Sequence, residues 1–399
     1  MISQGVSNLG DAFHLIAVTI LLYKMTGSGL FTAFGIICAP IPSVFLSPIA
    51  GSLGDRFSSR SMLIIIDLFR GFVTLLFTQK LGVYEIYILL FVLSSLNVMY
   101  NPPSKKIIVN IMKNNEFVLA NSILSGVSGA SFLVGPILAG ILIGIYGVNV
   151  AFIANSCSFI FSAFIIMTIK VRYLKDTLQN TKKKFAQWIK IDIKAGFKYL
   201  QKVRPVKDLV IIGSIISFGT AAMNFAFYAF AFDVLKVGSK GWGLMLTIFY
   251  GTNLISMFIS LYFNKKFKKK TLLCICLSLL IVSVVWLYYG WVRNITAVLF
   301  LQLIEGSALS LCGILITTGL QSGIKKSFVS RIMGINDIFN NAGKLAGLFC
   351  AFITLQVLSP RSVFIFNSIL LMFFVAYKLL HMNSWEAIPE KVLQKEYDI

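Results

Sequence analysis

Apolar runs dominate the chain. Twelve of them lie near 3–23, 30–51, 62–80, 84–103, 120–145, 149–170, 209–232, 241–263, 271–290, 296–319, 333–358 and 363–381, separated by polar or basic connections. Each is about 20 residues long, enough to cross a hydrocarbon core about 30 Å thick at about 1.5 Å per helical residue. Lipid offers the backbone no hydrogen bonds, so every run is predicted to be a helix that satisfies its own N–H and C=O groups. The pattern predicts an all-α integral membrane protein with twelve transmembrane helices in two six-helix pseudo-repeats.

One connection stands apart from the rest. Residues 171–208 hold 11 basic residues, including Lys182-Lys183-Lys184, and divide the chain into an N-terminal half 1–170, a linker, a C-terminal half 209–381 and a tail 382–399. At an offset of about 210, Asp55-Arg56-Phe57 with Arg60 aligns with Lys265-Lys266-Phe267 with Lys270, and Gly10 falls opposite Gly219 at 209. Parallel repeats of this kind place a substrate site between halves near the bilayer midplane. Inside the linker, Phe185, Trp188, Ile189, Ile193, Phe197 and Leu200 recur at three- and four-residue spacing beside a stripe of Lys190, Lys194, Lys198 and Lys202. This amphipathic basic helix suits the inner headgroup surface, or else packs on the protein itself.

Composition sharpens the membrane reading. With 57% hydrophobic and 13% charged residues, a soluble fold would expose apolar surface that a bilayer instead solvates, so lipid is the partner implied. A net charge of +21 would suggest nucleic acid for a soluble protein, but the placement of the charges excludes that reading. With the amino terminus cytoplasmic, 28 Lys and Arg fall on the cytoplasmic side and six, Lys24, Lys80, Lys236, Lys240, Arg293 and Arg361, on the other. Only Arg70 and Lys344 stay within helices. This bias follows the positive-inside rule, and an even helix count returns the tail to the cytoplasm. The first run begins almost at Met1, so the usual short lead is missing, which leaves a misassigned start codon open. Cys38, Cys157, Cys274, Cys276, Cys312 and Cys350 all fall in apolar runs and read as small packing residues.

Three motifs bring a resemblance. Ser7-Asn8-Leu9-Gly10-Asp11 with Leu22-Tyr23-Lys24-Met25-Thr26-Gly27-Ser28, the loop Gly51-Ser52-Leu53-Gly54-Asp55-Arg56-Phe57-Ser58-Ser59-Arg60, and Gly135-Pro136-Ile137-Leu138-Ala139-Gly140 stand at the first, second-to-third and fifth runs. On these the chain resembles a major facilitator superfamily transporter, and within it the branch of macrolide efflux pumps and siderophore exporters. The resemblance implies the major facilitator fold and a cavity lined by helices 1, 2, 4, 5, 7, 8, 10 and 11. In its terms the loop is Gly-x-x-x-Asp-Arg-x-Gly-Arg-Arg. Gly51, Asp55, Arg56 and Arg60 match, while Ser58 and Ser59 replace the Gly and the first of the paired basic residues. Gly51 lets two helices approach closely, and Asp55 can meet the positive N-terminal end of the eleventh helix near Gly334. We read Asp55 as a conformational latch, against the plainer role of a loop charge that fixes topology. Gly135, Pro136 and Gly140 resemble the helix 5 antiporter signature of exporters, with Ser131 and Ala139 as its other small residues.

Charges inside apolar runs are costly and tend to serve function. Asp11, Glu305 and Lys344 lie near mid-depth, and His14 follows Asp11 by one helical turn, so Asp11 with His14 is the preferred proton site and Glu305 the next candidate. Glu305 and Lys344 read equally as a charge pair tying two helices. Asp67 and Arg70 read as packing and gating charges beside the loop. Asn97, Asn224 and Asn253, with some of the 35 phenylalanines, suit a cavity for a large, mostly apolar solute.

Enzyme chemistry has little material here. Two histidines, His14 and His381, leave neither a metal cluster nor a triad, and no glycine-rich phosphate loop with Lys-Ser or Lys-Thr occurs, which excludes a self-contained ATP-driven pump. The expectation is a monomer without cofactor, in a bacterial inner membrane, that exports a hydrophobic or amphipathic small molecule in exchange for protons. A proton-coupled nutrient importer and a nontransporting membrane sensor or scaffold are the alternatives.

Overall fold

The computed structural model describes residues 2–27, 41–113, 116–168, 185–263, 270–325 and 328–380. Ser28, Cys38, Lys170, Lys182-Lys183-Lys184, Lys265-Lys266-Phe267 and the tail with His381 lie outside the described residues. Thirteen α-helices are described: α1 Ile2–Thr26, α2 Ile41–Arg56, α3 Ser59–Leu76, α4 Val83–Ile111, α5 Phe117–Tyr146, α6 Asn149–Thr168, α7 Phe185–Lys202, α8 Arg204–Ala229, α9 Gly238–Tyr262, α10 Thr271–Tyr289, α11 Ile295–Gly323, α12 Val329–Val357 and α13 Pro360–Leu380. Each of the twelve predicted runs holds one helix, α7 is the linker helix, and α8 ends in a π-turn, Phe230–Val234. Nine of the described helices are long and apolar enough to cross a membrane. α2 falls short at its 16 described residues, and α3 carries Arg60, Asp67 and Arg70.

Local signals set the helix ends. Ser58 caps α3 by accepting the amide of Ser61 at 3.2 Å, the Glu85 carboxylate takes the Gly82 amide at 2.9 Å before α4, and Asn294 accepts from Ala297 at 2.9 Å to start α11. α5 stops where Gly147 takes φ +83°, a left-handed backbone open to glycine at little cost.

The helices group into two compact units. One comprises residues 1–114, 130–204 and 324–338, and the other 115–129, 205–323 and 339–399. The division therefore passes through two helices: α5 gives residues 117–129 to the second unit, and α12 gives 329–338 to the first. In the first unit α1 and α3 pack on α6, and α2 and α3 on α4. In the second, α9 and α10 pack on α11, and α10 on α13. Phe13, Leu22, Val73, Phe77, Ile86 and Phe152 belong to one buried cluster of the first unit.

The duplication shows in hydrogen bonds as well as in helix pairing. Ser156 on α6 donates to the carbonyl of Gly71 on α3 at 2.8 Å, and Ser368 on α13 donates to that of Ser283 on α10 at 2.7 Å. Both members of the second pair stand 212 residues after those of the first, as Phe364 and Asn367 do after Phe152 and Asn155. A hydroxyl that satisfies a neighbouring helix carbonyl fixes the same crossing twice. Ser156→Ala and Ser368→Ala are each expected to lower stability by about 1 kcal/mol, read as thermal unfolding in detergent. A loss at one site and none at the other would show that the two crossings are not equivalent.

The linker helix covers protein along part of its apolar face. Tyr199, Leu200 and Val203 are buried, Tyr199 stacks on Phe328 with ring centroids 5.1 Å apart, and its hydroxyl accepts the Lys325 amide at 3.2 Å. Lys194, Lys198 and Lys202 are exposed. The C-terminal part of α7 thus packs on the start of α12, while Phe197 stays exposed.

Candidate functional site

The 51–60 motif, expected as a loop, folds into the last turns of α2, the Phe57–Ser58 turn and the start of α3, and it closes on the first turn of α12 within the first unit. The Asp55 carboxylate accepts the amides of Ser330 at 2.9 Å and Arg331 at 3.0 Å. These are amides of a helix's first turn, which have no partner inside the helix and carry its partial positive charge. Two cations join them: Lys106 Nζ lies 3.4 Å from one carboxylate oxygen and Arg331 Nε 3.4 Å from the other. Lys106 also donates to the carbonyls of Gly54 at 3.1 Å and Asp55 at 3.2 Å. The side chains of Asp55 and Lys106 are 1% and 4% exposed, so the pair is shielded from solvent.

Glycine makes the approach between α2 and α12 feasible. A Cβ on Gly51 would lie 2.7 Å from the Ser330 carbonyl oxygen, and one on Gly334 would lie 3.0 Å from the Gly51 Cα. Arg56 ends α2, and Arg60 donates to the Met167 carbonyl at the end of α6, where a cation complements the negative helix terminus. Lys106 and Arg331 did not enter the sequence reading. The one signal for Lys106 is Pro102-Pro103-Ser104-Lys105-Lys106 at the end of the fourth run; for Arg331, nothing in the sequence says that its amide rather than its charge matters most. Lys105 pairs with Asp337 at 3.1 Å and adds a second tie between α4 and α12.

The helix 5 residues divide by face. A Cβ on Gly135 would lie 2.6 Å from that of Ala12, and Ser131 donates to the Gly5 carbonyl at 3.3 Å, so this side of α5 lies tight against α1. Pro136 sits inside α5, and Gly140 has open space beside it.

Asp11 and His14 are not brought together. Arg70 takes Asp11 at 3.3 Å and Asp67 at 3.0 Å, with its guanidinium 4.0 Å from the Phe159 ring centroid and 5.0 Å from that of Tyr100. Ser162 donates to the second Asp67 oxygen at 2.6 Å and contacts Ser3 at 2.6 Å. His14 instead sits among rings, 4.9 Å from Phe77 and 5.4 Å from Phe152, and both its nitrogens are buried without a hydrogen-bond partner. The shared-proton reading of Asp11 with His14 is corrected on this point: a guanidinium on α3 outcompetes an imidazole one turn away for the carboxylate.

The Glu305–Lys344 pair is likewise not formed. Glu305 is buried on α11, and its oxygens are taken by Trp286 Nε1 at 2.6 Å and the Tyr289 hydroxyl at 2.8 Å, whereas Lys344 on α12 is exposed. Two donors from α10 supply what an ammonium was expected to give. Of the amides, Asn97 on α4 has a buried oxygen without a partner, Asn224 on α8 is exposed, and Asn253 on α9 accepts from Ser125 on α5 at 3.4 Å. That last contact belongs to a polar seam of the second unit, in which Asn121 donates to Thr318 at 2.9 Å and Gln321 at 2.6 Å and Ser122 meets Ser260 at 2.5 Å.

The model of the Major Facilitator Superfamily matches residues 1–348. The chain belongs to this superfamily. Among curated relatives it is 24% identical over 202 residues to the MFS-type transporter YfiS of Bacillus subtilis, covering 50% of this chain and 48% of that one. It is 26% identical over 186 residues, 46% of each, to a putative bacilysin exporter of the same organism, BacE. The chain thus spans about half the length of the curated relatives it matches. Two solved structures share the fold at low identity. The human organic anion transporter MFSD10 superposes with TM-score 0.80 at 12% identity over 94% of this chain and 97% of its own. A bacterial homologue of the iron transporter ferroportin gives 0.71 at 15% over 95% and 96%. The chain is a multi-pass membrane protein of this superfamily.

Proposed function

We propose that the chain is a secondary active exporter that moves a hydrophobic or amphipathic compound out of a bacterial cell, driven by protons through alternating access. The observation that carries the direction is its likeness to the bacilysin exporters. The geometry of Asp55 supports the mechanism: it grips the first turn of α12, so release of a few hydrogen bonds would free that turn from α2 and α4. Buried carboxylates within the helical runs support proton drive. The loop and helix 5 motifs favour the macrolide and siderophore branch, and with it drugs or siderophores as cargo. The charge bias favours both termini in the cytoplasm. A monomer needs no partner beyond lipid, protons and solute.

Deletion and overexpression strains, scored for tolerance to erythromycin and bacilysin and for siderophore in the medium, test this. Overexpression is expected to raise tolerance or secreted siderophore several-fold. Unchanged profiles throughout would remove export from the reading.

A further inference from the structure

Helices α9, α10 and α11 form one packed layer of the second unit and carry a single acidic residue between them, Glu305. Its surroundings are rigid. Trp286 and Tyr289 stand three apart on one face of α10, at 1% and 0% exposure. Gly219 on α8 leaves room for the indole, since a Cβ there would lie 2.7 Å from the ring, and the phenol is held by Phe227 at 5.4 Å and Phe364 at 5.7 Å between centroids. On the far side Gly306 lies against Thr252 of α9.

The two partners differ in what they can do. An indole N–H can only donate, so Oε1 is held as an acceptor in every protonation state. A phenol can donate or accept, so Oε2 is served both as a carboxylate, with the Tyr289 hydroxyl donating, and as an acid, with its own O–H donating back. Either state is hydrogen-bonded without moving a heavy atom. Asp55 lacks this symmetry, since it faces two backbone amides and two cations, all groups that only donate; Asp67 has a hydroxyl partner in Ser162, but its other oxygen is held by the Arg70 guanidinium.

Few other charges bear on the site. α10 has no Asp, Glu, Lys, Arg or His, and α9 has only Lys240, twelve residues from Thr252 and so about 18 Å along the helix. Cys312 lies seven residues along α11, and Cys276 ten residues along α10 from Trp286. On α8, Asp208 is paired with Lys378 of α13 at 2.6 Å, while Arg204 and Lys207 lie in the first turn. Asp233 stands six residues beyond Phe227, in the π-turn. Arg361, three residues before Phe364, donates to the Val292 carbonyl at 3.1 Å.

We propose that Glu305 is a proton-binding site of the second unit, loading from water and releasing to water while Tyr289 reverses its hydrogen bond. No electron moves, and one O–H bond forms on Glu305 for each one broken in hydronium. The site deepens the proton-driven reading above and rests on it for its role in transport, though not for its protonation.

Infrared difference spectra of the purified protein in lipid nanodiscs, titrated between about pH 5 and pH 9, read the carboxylic acid C=O stretch directly and need no substrate. Glu305→Gln keeps an acceptor for Trp286 and a donor for Tyr289, so it is expected to fold and to lose one titrating band. Tyr289→Phe removes a donor to the carboxylate, and the band is then expected to persist to higher pH than in wild type, by about one pH unit. Identical titrations in wild type and Glu305→Gln would overturn the proposal. Inverted vesicles loaded with Hoechst 33342 separate it from the broader reading. Wild-type export that follows an imposed pH gradient, with Glu305→Gln exchanging dye but ignoring the gradient, supports both. Equal gradient response in the two proteins overturns a coupling role for Glu305 alone. Indifference of the wild type to the gradient, with the infrared band lost in the variant, overturns proton drive and leaves the binding site standing.

Discussion

Asp55→Asn is expected to abolish net transport while the protein still inserts at near wild-type abundance. The carboxylate meets two amide N–H groups and two cations, all donors. An asparagine turns one oxygen into an NH2 that points at a donor, and it removes the charge that the helix terminus stabilises. Lys106 then loses its carboxylate and keeps the carbonyls of Gly54 and Asp55. Breaking one partner of a buried pair typically costs about 3–5 kcal/mol, concentrated here on the contact between α2, α4 and α12. The helical runs themselves do not depend on it, so insertion is spared. Immunoblots of membranes alongside vesicle efflux measure both halves of this expectation. Turnover at the wild-type level would remove the latch role from Asp55.

Arg70→Met is expected to destabilise the first unit by about 3–5 kcal/mol. It strands two carboxylates at once, and Asp67 is fully buried with Ser162 as its remaining partner. Asp67→Asn should cost far less, because Arg70 keeps Asp11 and both flanking rings. The double change Asp67→Asn with Arg70→Met should recover part of the loss. Thermal unfolding in detergent ranks the three variants. If Asp67→Asn proves as damaging as Arg70→Met, the guanidinium is not the hub of the cluster.

Both predictions turn in part on distant partners, Ser330, Arg331 and Lys106 for Asp55 and Asp11 for Arg70. Asp55 could be singled out from its loop, and so could the idea that a helix terminus receives it. That the receiving amides belong to Ser330 and Arg331, and that Lys106 completes the pocket, depends on three helices crossing at one point. The serines of the loop also read differently in place. Ser58 caps α3, and the positive charge around Asp55 is drawn from α4 and α12 rather than from the loop.

Hydrophobic spacing and charge placement determined the number, type and approximate ends of the helices, because in lipid a backbone segment must satisfy itself within its own sequence. The small-residue motifs marked where α2 and α5 press against neighbours, since a missing Cβ is visible in the sequence. Tertiary structure alone decided which charges meet. Asp11 joins Arg70 instead of His14, and Glu305 joins Trp286 and Tyr289 instead of Lys344. Helical periodicity tells which residues share a face of one helix, but a buried charge takes its partner from whichever helix faces it, at a depth and rotation that packing sets.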